Sequence, residues 1–332
     1  MNSARSSPSW LASPPPNAAL EITAARVTAV GVSDQRQTTI INAYASEALP
    51  NGAVEPALNA ANVHDSSALS AAIRSTLSSL GHRSRRVALV LPDSVAKVSL
   101  IRFDKVPEKA SDLDQLIRWQ VRKAAPFRIE DAQVAWQPGI AVPGGGREYL
   151  VTVARRDIVL SYERVCEAAG THAGIIDLAS FNHVNAVLAS GRMAGDWLLL
   201  HVAADYTTLA VVRADDIVSF RNRTGATEED LVELVHQTAM YHEDRLGGGG
   251  FSRVVLAGAS VLGIEETDRL RRLLYERIGL KVEAPDFRSA VSMRDRIAAG
   301  PELLDALAPC IGVLLRERPS AGPGQGRAGR VA

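Results

Sequence analysis

The chain reads as an α/β protein of two similar lobes, with a small α+β block inserted in the first. Three observations predict this. Strand-like alternating stretches precede a helix-like stretch and a short, buried-type strand. That order occurs twice, roughly 180 residues apart. Between the copies lies a block with its own strand, helix, hairpin and helix. A length of 332 residues suits two domains or one large split one.

Residues 1–16 are Ser/Pro-rich and residues 318–332 Gly/Pro/Arg-rich, so both are expected to be disordered tails, Trp10 and Leu11 included. The first lobe is expected over 17–93 and 166–195. Its strands fall at 19–32 and 38–45, broken by Ser33-Asp34-Gln35. Asp65 caps a helix carrying Leu69, Ile73, Leu77 and Leu80, which Gly81 stops; a buried strand follows at 87–91. The insert is expected over 94–165. Its strand 97–103 leads to a helix capped by Ser111, carrying Leu113, Leu116, Ile117, Gln120, Val121 and Ala124 and ended by Pro126. Stretches 132–142 and 148–154 form a hairpin across Pro143-Gly144-Gly145-Gly146, and Asp157 starts a helix stopped by Gly170.

The second lobe is expected over 196–317. It has strands at 196–202, 207–213 and 217–222, then a capping-box start at Thr227 and Asp230. The helix carries Leu231, Leu234, Val235 and Leu246 and ends at the glycines 247–250. A strand at 253–256 and a helix with Leu270, Leu273, Leu274 and Ile278, stopped by Gly279, complete it. Two matching lobes imply a cleft, a usual place for a ligand.

The 37 Lys and Arg balance 37 Asp and Glu, which argues against a nucleic-acid partner. The two cysteines, Cys166 and Cys310, lie in apolar helix-like stretches and make no disulfide framework, so a reducing compartment is expected. The nearest approach to a membrane span, 197–204, is too short and contains His201, and the N-terminus has no signal-peptide pattern. Secretion and direct membrane insertion are therefore not expected.

No GxxxxGK[ST] phosphate loop is present, and the four glycines read as a connector. Ser94-Val95-Ala96-Lys97 matches SxxK but runs into a strand, where Ser and Lys stand about 10 Å apart, so the match is chance. Without HExxH or CxxC the seven histidines make no metal set, and His236 and His242 read as solvated helix residues. Arg83, Arg85 and Arg86, and Arg269, Arg271 and Arg272, read as solvated faces. Asp177, before Phe181, Val184 and Leu188, reads first as a helix N-cap and second as a cleft-edge carboxylate.

Three stretches carry a resemblance: Leu113-Asp114-Gln115-Leu116-Ile117-Arg118-Trp119-Gln120 running to Ala125-Pro126-Phe127, Ala169-Gly170 followed by Ile176-Asp177-Leu178, and Pro309-Cys310-Ile311-Gly312-Val313-Leu314-Leu315-Arg316. In this order, over residues 18–316, the chain resembles the PilM family of cytoplasmic type IV pilus assembly proteins, relatives of FtsA. The resemblance implies an actin-like fold of duplicated ribonuclease-H-like lobes, with 17–93 and 166–195 as subdomain 1A, 94–165 as 1C and 196–317 as 2A and 2B.

It also implies an Asp-x-Gly phosphate loop at the start of each lobe. Here Glu21 and Thr23, followed by Ala24, stand at the first; His201 and Ala203 stand at the second, followed by Asp205 and Thr207. The adenosine-side turn keeps Gly258 but has Ala259. A Cβ at Thr23 or Ala203 crowds a phosphate, and neutral His201 cannot replace a carboxylate beside hydrated magnesium. The implied function is a non-catalytic adaptor that needs no cofactor and sits at the cytoplasmic side of the inner membrane. Its implied partner is the N-terminal segment of a PilN-like bitopic membrane protein, in a groove between first lobe and insert. Strands 87–103 and helix 111–127 would wall that groove, with Phe103, Leu116, Trp119 and Phe127 as candidate contacts. Self-association stays open. The alternatives are an ATPase whose Glu21 and Asp205 hold Mg-ATP, and the cytoplasmic part of a GspL-like type II secretion component; the polar C-terminal tail argues against the latter.

Overall fold

The computed structural model describes residues 14–35, 38–81, 85–142, 144–191, 194–225, 227–294, 300–316 and 318. The first lobe opens with β1 (Ala18–Ile22), β2 (Arg26–Gln35), β3 (Thr38–Ala48), α1 (Ser66–Ser79) and β4 (Arg86–Leu91). A one-turn 3-10 segment, Asp93–Val95, leads into the insert: β5 (Ala96–Phe103), α2 (Ala110–Val121), β6 (Ala132–Val142) and β7 (Gly146–Arg155). The chain returns through α3 (Arg156–Ala168), β8 (His172–Leu178) and α4 (Ala179–Ala189). The second lobe holds β9 (Trp197–Val202), β10 (Tyr206–Arg213), β11 (Asp216–Thr224), α5 (Glu228–Leu246), β12 (Arg253–Ala257), a 3-10 segment Ala259–Leu262, α6 (Ile264–Ile278) and β13 (Val282–Glu283). Last come β14 (Val291–Met293) and α7 (Pro301–Arg316).

The expected duplication is present. The first sheet has the order β14-β3-β2-β1-β4-β8 and the second β11-β10-β9-β12-β13, so β3-β2-β1-β4 and β11-β10-β9-β12 match strand for strand. In each, an antiparallel meander is joined by a parallel strand after a helical crossover. The caps follow their sequence signals. Asp65 accepts from Ala68 N at 2.9 Å, Thr227 and Asp230 close a capping box, and Gly247 and Gly279 end their helices at left-handed φ of 62° and 70°.

One large core is shared by both lobes and one face of the insert sheet. It joins Leu20, Leu89 and Phe181 to Trp197 and Val212, and to Leu100 and Leu150. The other face of the insert sheet, through Ile101, Tyr149, Val151 and Val153, packs on Leu113, Ile117 and Val121 of α2. The first lobe and α2 therefore lie on opposite faces of that sheet.

Several expectations need correction. The first turn falls at residues 23–25, where the Thr23 hydroxyl accepts from Ala25 N and Arg26 N. Ser33-Asp34-Gln35 belongs to β2, with Asp34 accepting from Thr39 Oγ1 at 3.0 Å. The expected caps Ser111 and Asp157 are replaced by Lys109 and Arg155, neither of which makes a side-chain capping bond. The start of α3, placed in the insert, packs on the shared core through Ile158, Tyr162 and Val165. The span 196–317 is not one packing unit: β14 pairs with β3, and Leu304, Leu307, Ile311 and Leu314 of α7 pack on Ala19, Val30 and Ala88.

Arg318, expected to open a disordered tail, is buried against the Asp34 carboxylate, Leu314 O, Pro16 O and Asn17 Oδ1. Pro14 O likewise accepts from Arg86. Residues 1–13 and 319–332, Arg83 and Pro143 lie outside the described residues. His242, expected in solvent, is buried with Nε2 2.6 Å from Asp196 Oδ2 and its ring stacked on Phe251.

Candidate functional site

The matching strands bring the ends of β1, β4, β9 and β12 to one cleft. Its space is about 660 Å³, counting the open mouth. Seven of the ten positions singled out in the sequence line it: Glu21, Thr23, Ala24, His201, Ala203, Asp205 and Gly258. Thr207 and Ala259 are buried beside it rather than in its lining.

Asp177 is neither in the cleft lining nor the cap of α4, whose N-cap is Leu178. Its carboxylate instead meets Arg316 Nη1 at 2.5 Å, and Oδ1 accepts from Leu178 N at 2.8 Å. Burial pushes this carboxyl up to about 6, against the pull of Arg316.

Behind His183 and His201 of the cleft lining is a buried polar knot that the sequence reading missed. Asp93 Oδ1 accepts from Ser180 N at 3.0 Å, while Oδ2 accepts from Ser180 Oγ and, at 2.7 Å, from Thr208 Oγ1. Asn222 Nδ2 donates to Thr208 Oγ1 at 2.8 Å. The one Ser180 hydroxyl proton goes to Asp93, so His201 Nδ1 is the donor in its 2.9 Å contact with Ser180 Oγ. The His183 ring lies 4.5 Å from that of His201, and burial holds its pKa well below the usual value, so it is neutral. Ser180 is fully buried and its proton is committed, so this Ser–His–Asp set holds structure rather than a nucleophile.

A second carboxylate closes the other side. Asp305 of α7 accepts from Gly258 N at 2.7 Å and Ser260 N at 3.2 Å. A Cβ at Gly258 would stand 2.3 Å from Val202 O and 2.7 Å from His201 Cδ2, so this glycine lets the turn close over the chain's own strand. Burial pushes Glu21 up to about 7, with Arg26 opposing it and Asp305 and Asp93 adding to it. Asp205 and Asp305 are also raised by burial. Among the described residues no group of three or more His, Cys, Asp or Glu is placed to hold a metal ion.

Two sequence signals could have found this knot. Asp305 is the lone acid within 303–315, and the 179–187 segment sets Ser, Asn and His among apolar residues without a charged side chain.

The four candidate groove residues do not share one environment. Phe103 and Phe127 are half-buried against the insert core, with the Phe103 ring 5.8 Å from Tyr149, and Leu116 is half-buried on α2. Trp119 is 61% exposed, with Lys123 Nζ 5.9 Å from its ring. α2, expected as one wall of a groove between first lobe and insert, covers the face of the insert sheet opposite the one that packs with the first lobe.

A model of the family described as type IV pilus assembly protein PilM matches residues 19–243. No curated protein matches the sequence. Among solved structures, the chain is similar to one from a PilM–PilN type IV pilus biogenesis complex: 20% identity, TM-score 0.75, 90% of this chain and 98% of that one. It is more distantly similar to a Bacteroides thetaiotaomicron protein of actin-like ATPase fold and unknown function, at 10% identity and TM-score 0.49 over 83% and 91% of the two chains. The cytoplasmic domain of EpsL, an inner-membrane component of the Vibrio cholerae type II secretion system, gives 11% identity and TM-score 0.47 over 90% and 93%. The fold is the actin-like one expected from the sequence. With its family model spanning first lobe, insert and the front of the second lobe, the chain belongs to the PilM family of type IV pilus assembly proteins.

Proposed function

We propose that the protein is a cytoplasmic adaptor of a type IV pilus machine, acting by docking rather than by turnover. Its partner is the cytoplasmic N-terminal segment of a PilN-like bitopic membrane protein, which holds it at the inner membrane. Family membership and the likeness to a PilM solved with PilN support the partner. Among the described residues no helix is long and apolar enough to cross a membrane, so attachment through a partner fits.

The observation that carries the non-catalytic reading is the filling of the cleft by the chain's own groups. Where a magnesium nucleotide needs a charged carboxylate and bare backbone, burial pushes the Glu21 carboxyl up to about 7, so that it is only partly ionised at neutrality, and Thr23 and Ala203 bring side chains. His201 offers no anionic oxygen, and Asp305 takes the N–H groups of Gly258 and Ser260. These residues do not fit Mg-ATP.

The docking face we propose lies on the insert. There β5 is the edge of a three-stranded sheet, and Trp119 with Lys123 stands exposed on α2. Calorimetry with the partner's N-terminal peptide tests this reading: saturable binding supports it, and none at high micromolar peptide contradicts it. A rise in melting temperature on adding ATP and magnesium would instead favour the ATPase alternative with Glu21 and Asp205 as ligands.

A further inference from the structure

Two of the buried carboxylates at the cleft, Asp93 behind its lining and Asp305 within it, share a feature that packing does not require. Each belongs to an element packed with the first lobe, and each is bonded to donors of the second. Asp93 follows β4 and takes Thr208 Oγ1 of β10; Asp305 lies on α7, which packs on β1, β2 and β4, and takes the N–H groups after β12. Both are buried, where a carboxylate is tolerated only with its donors in place. From these bonds we infer that the lobes are clasped shut by two self-supplied carboxylates, Asp93 and Asp305, with no ligand needed to hold them closed.

The first clasp also reaches the insert. Asp93 opens the 3-10 segment that ends at Val95, and β5 begins at the next residue. The insert is fixed to the second lobe as well, since Ile140 of β6 packs into the second-lobe core. A displacement of β5 therefore pulls on the same carboxylate that holds Thr208. Lobe closure and insert position are one mechanical variable, set at Asp93.

The test needs neither nucleotide nor partner, so its failure is separate from any failure of the docking reading. Spin labels on Ser78→Cys in α1 and Glu276→Cys in α6, both exposed, report the interlobe distance; the native Cys166 and Cys310 are buried. One narrow distance is expected for the otherwise unchanged chain. Thr208→Val with Asp305→Ala should give a broadened distribution with a longer component, and Thr208→Ser with native Asp305 should restore the narrow one. An unchanged distribution in the double variant overturns the clasp. Should the double variant not fold, Thr208→Val and Asp305→Asn singly, followed by amide hydrogen exchange, decide the matter. The amides of β9, β10 and residues 258–260 should exchange roughly tenfold faster per bond removed, while α1 and β4 stay as they were. Equal exchange across both lobes, or none, contradicts the inference.

Discussion

Glu21 in β1 and His201 in β9 occupy matching places: each lies opposite a threonine on the next strand, Thr28 for the first and Thr208 for the second. From there the lobes part. Thr28 turns to Ser46 Oγ at 3.3 Å within its own sheet, whereas Thr208 crosses to Asp93 at 2.7 Å. The segments after β4 and β12 match too. Both open a 3-10 turn, but one begins with Pro92 and the acid Asp93, the other with Gly258 at φ +73° and Ala259. The first lobe supplies both interlobe carboxylates and the second lobe only the donors that meet them. A duplicated scaffold has become a one-sided clasp, and the difference lies in a few side chains on an unchanged strand order.

Removing the acid from one of the matched turns breaks the comparison most severely. Asp93→Ala leaves Ser180 N, Ser180 Oγ and Thr208 Oγ1 buried without their acceptor. Chemical denaturation should show a loss of about 3–5 kcal/mol. In the other matched turn Gly258→Ala forces a Cβ within 2.3 Å of Val202 O at a positive φ. That should cost about 2 kcal/mol by the same measurement.

The twin positions themselves are separated by pH. The Glu21 carboxyl, about 7 in the fold against 4.5 unperturbed, favours the folded state when protonated. Its contribution is complete below pH 4.5 and is lost as the pH rises through about 7. Glu21→Gln should thus be more stable than the native chain at pH 8, by on the order of 2 kcal/mol, with the advantage gone at pH 4. The smallest effect belongs to the insert. Trp119→Ala should shift stability by no more than about 0.5 kcal/mol, yet weaken peptide binding measured by calorimetry.

Much of the architecture was legible because backbone punctuation is local. Asp65, the Thr227–Asp230 box and Gly279 each bound their helices where their chemistry requires. The first turn was misplaced because Thr23-Ala24-Ala25 carries none of the usual turn residues and is closed by the Thr23 hydroxyl. Seven cleft residues were found through strand order and resemblance. Asp93, Ser180, Thr208 and Asp305 were not, since their roles exist only once separate elements meet across the lobes. Arg318 was hidden for the same reason: its partners Asp34 and Asn17 lie at the other end of the chain.

The most direct measurement is a calorimetric titration of the full chain with the N-terminal cytoplasmic peptide of a PilN-like protein, run with and without ATP and magnesium. Self-clasped lobes that serve a docking insert predict the same saturable binding in both runs. Binding that appears only with the nucleotide, or in neither run, would contradict them.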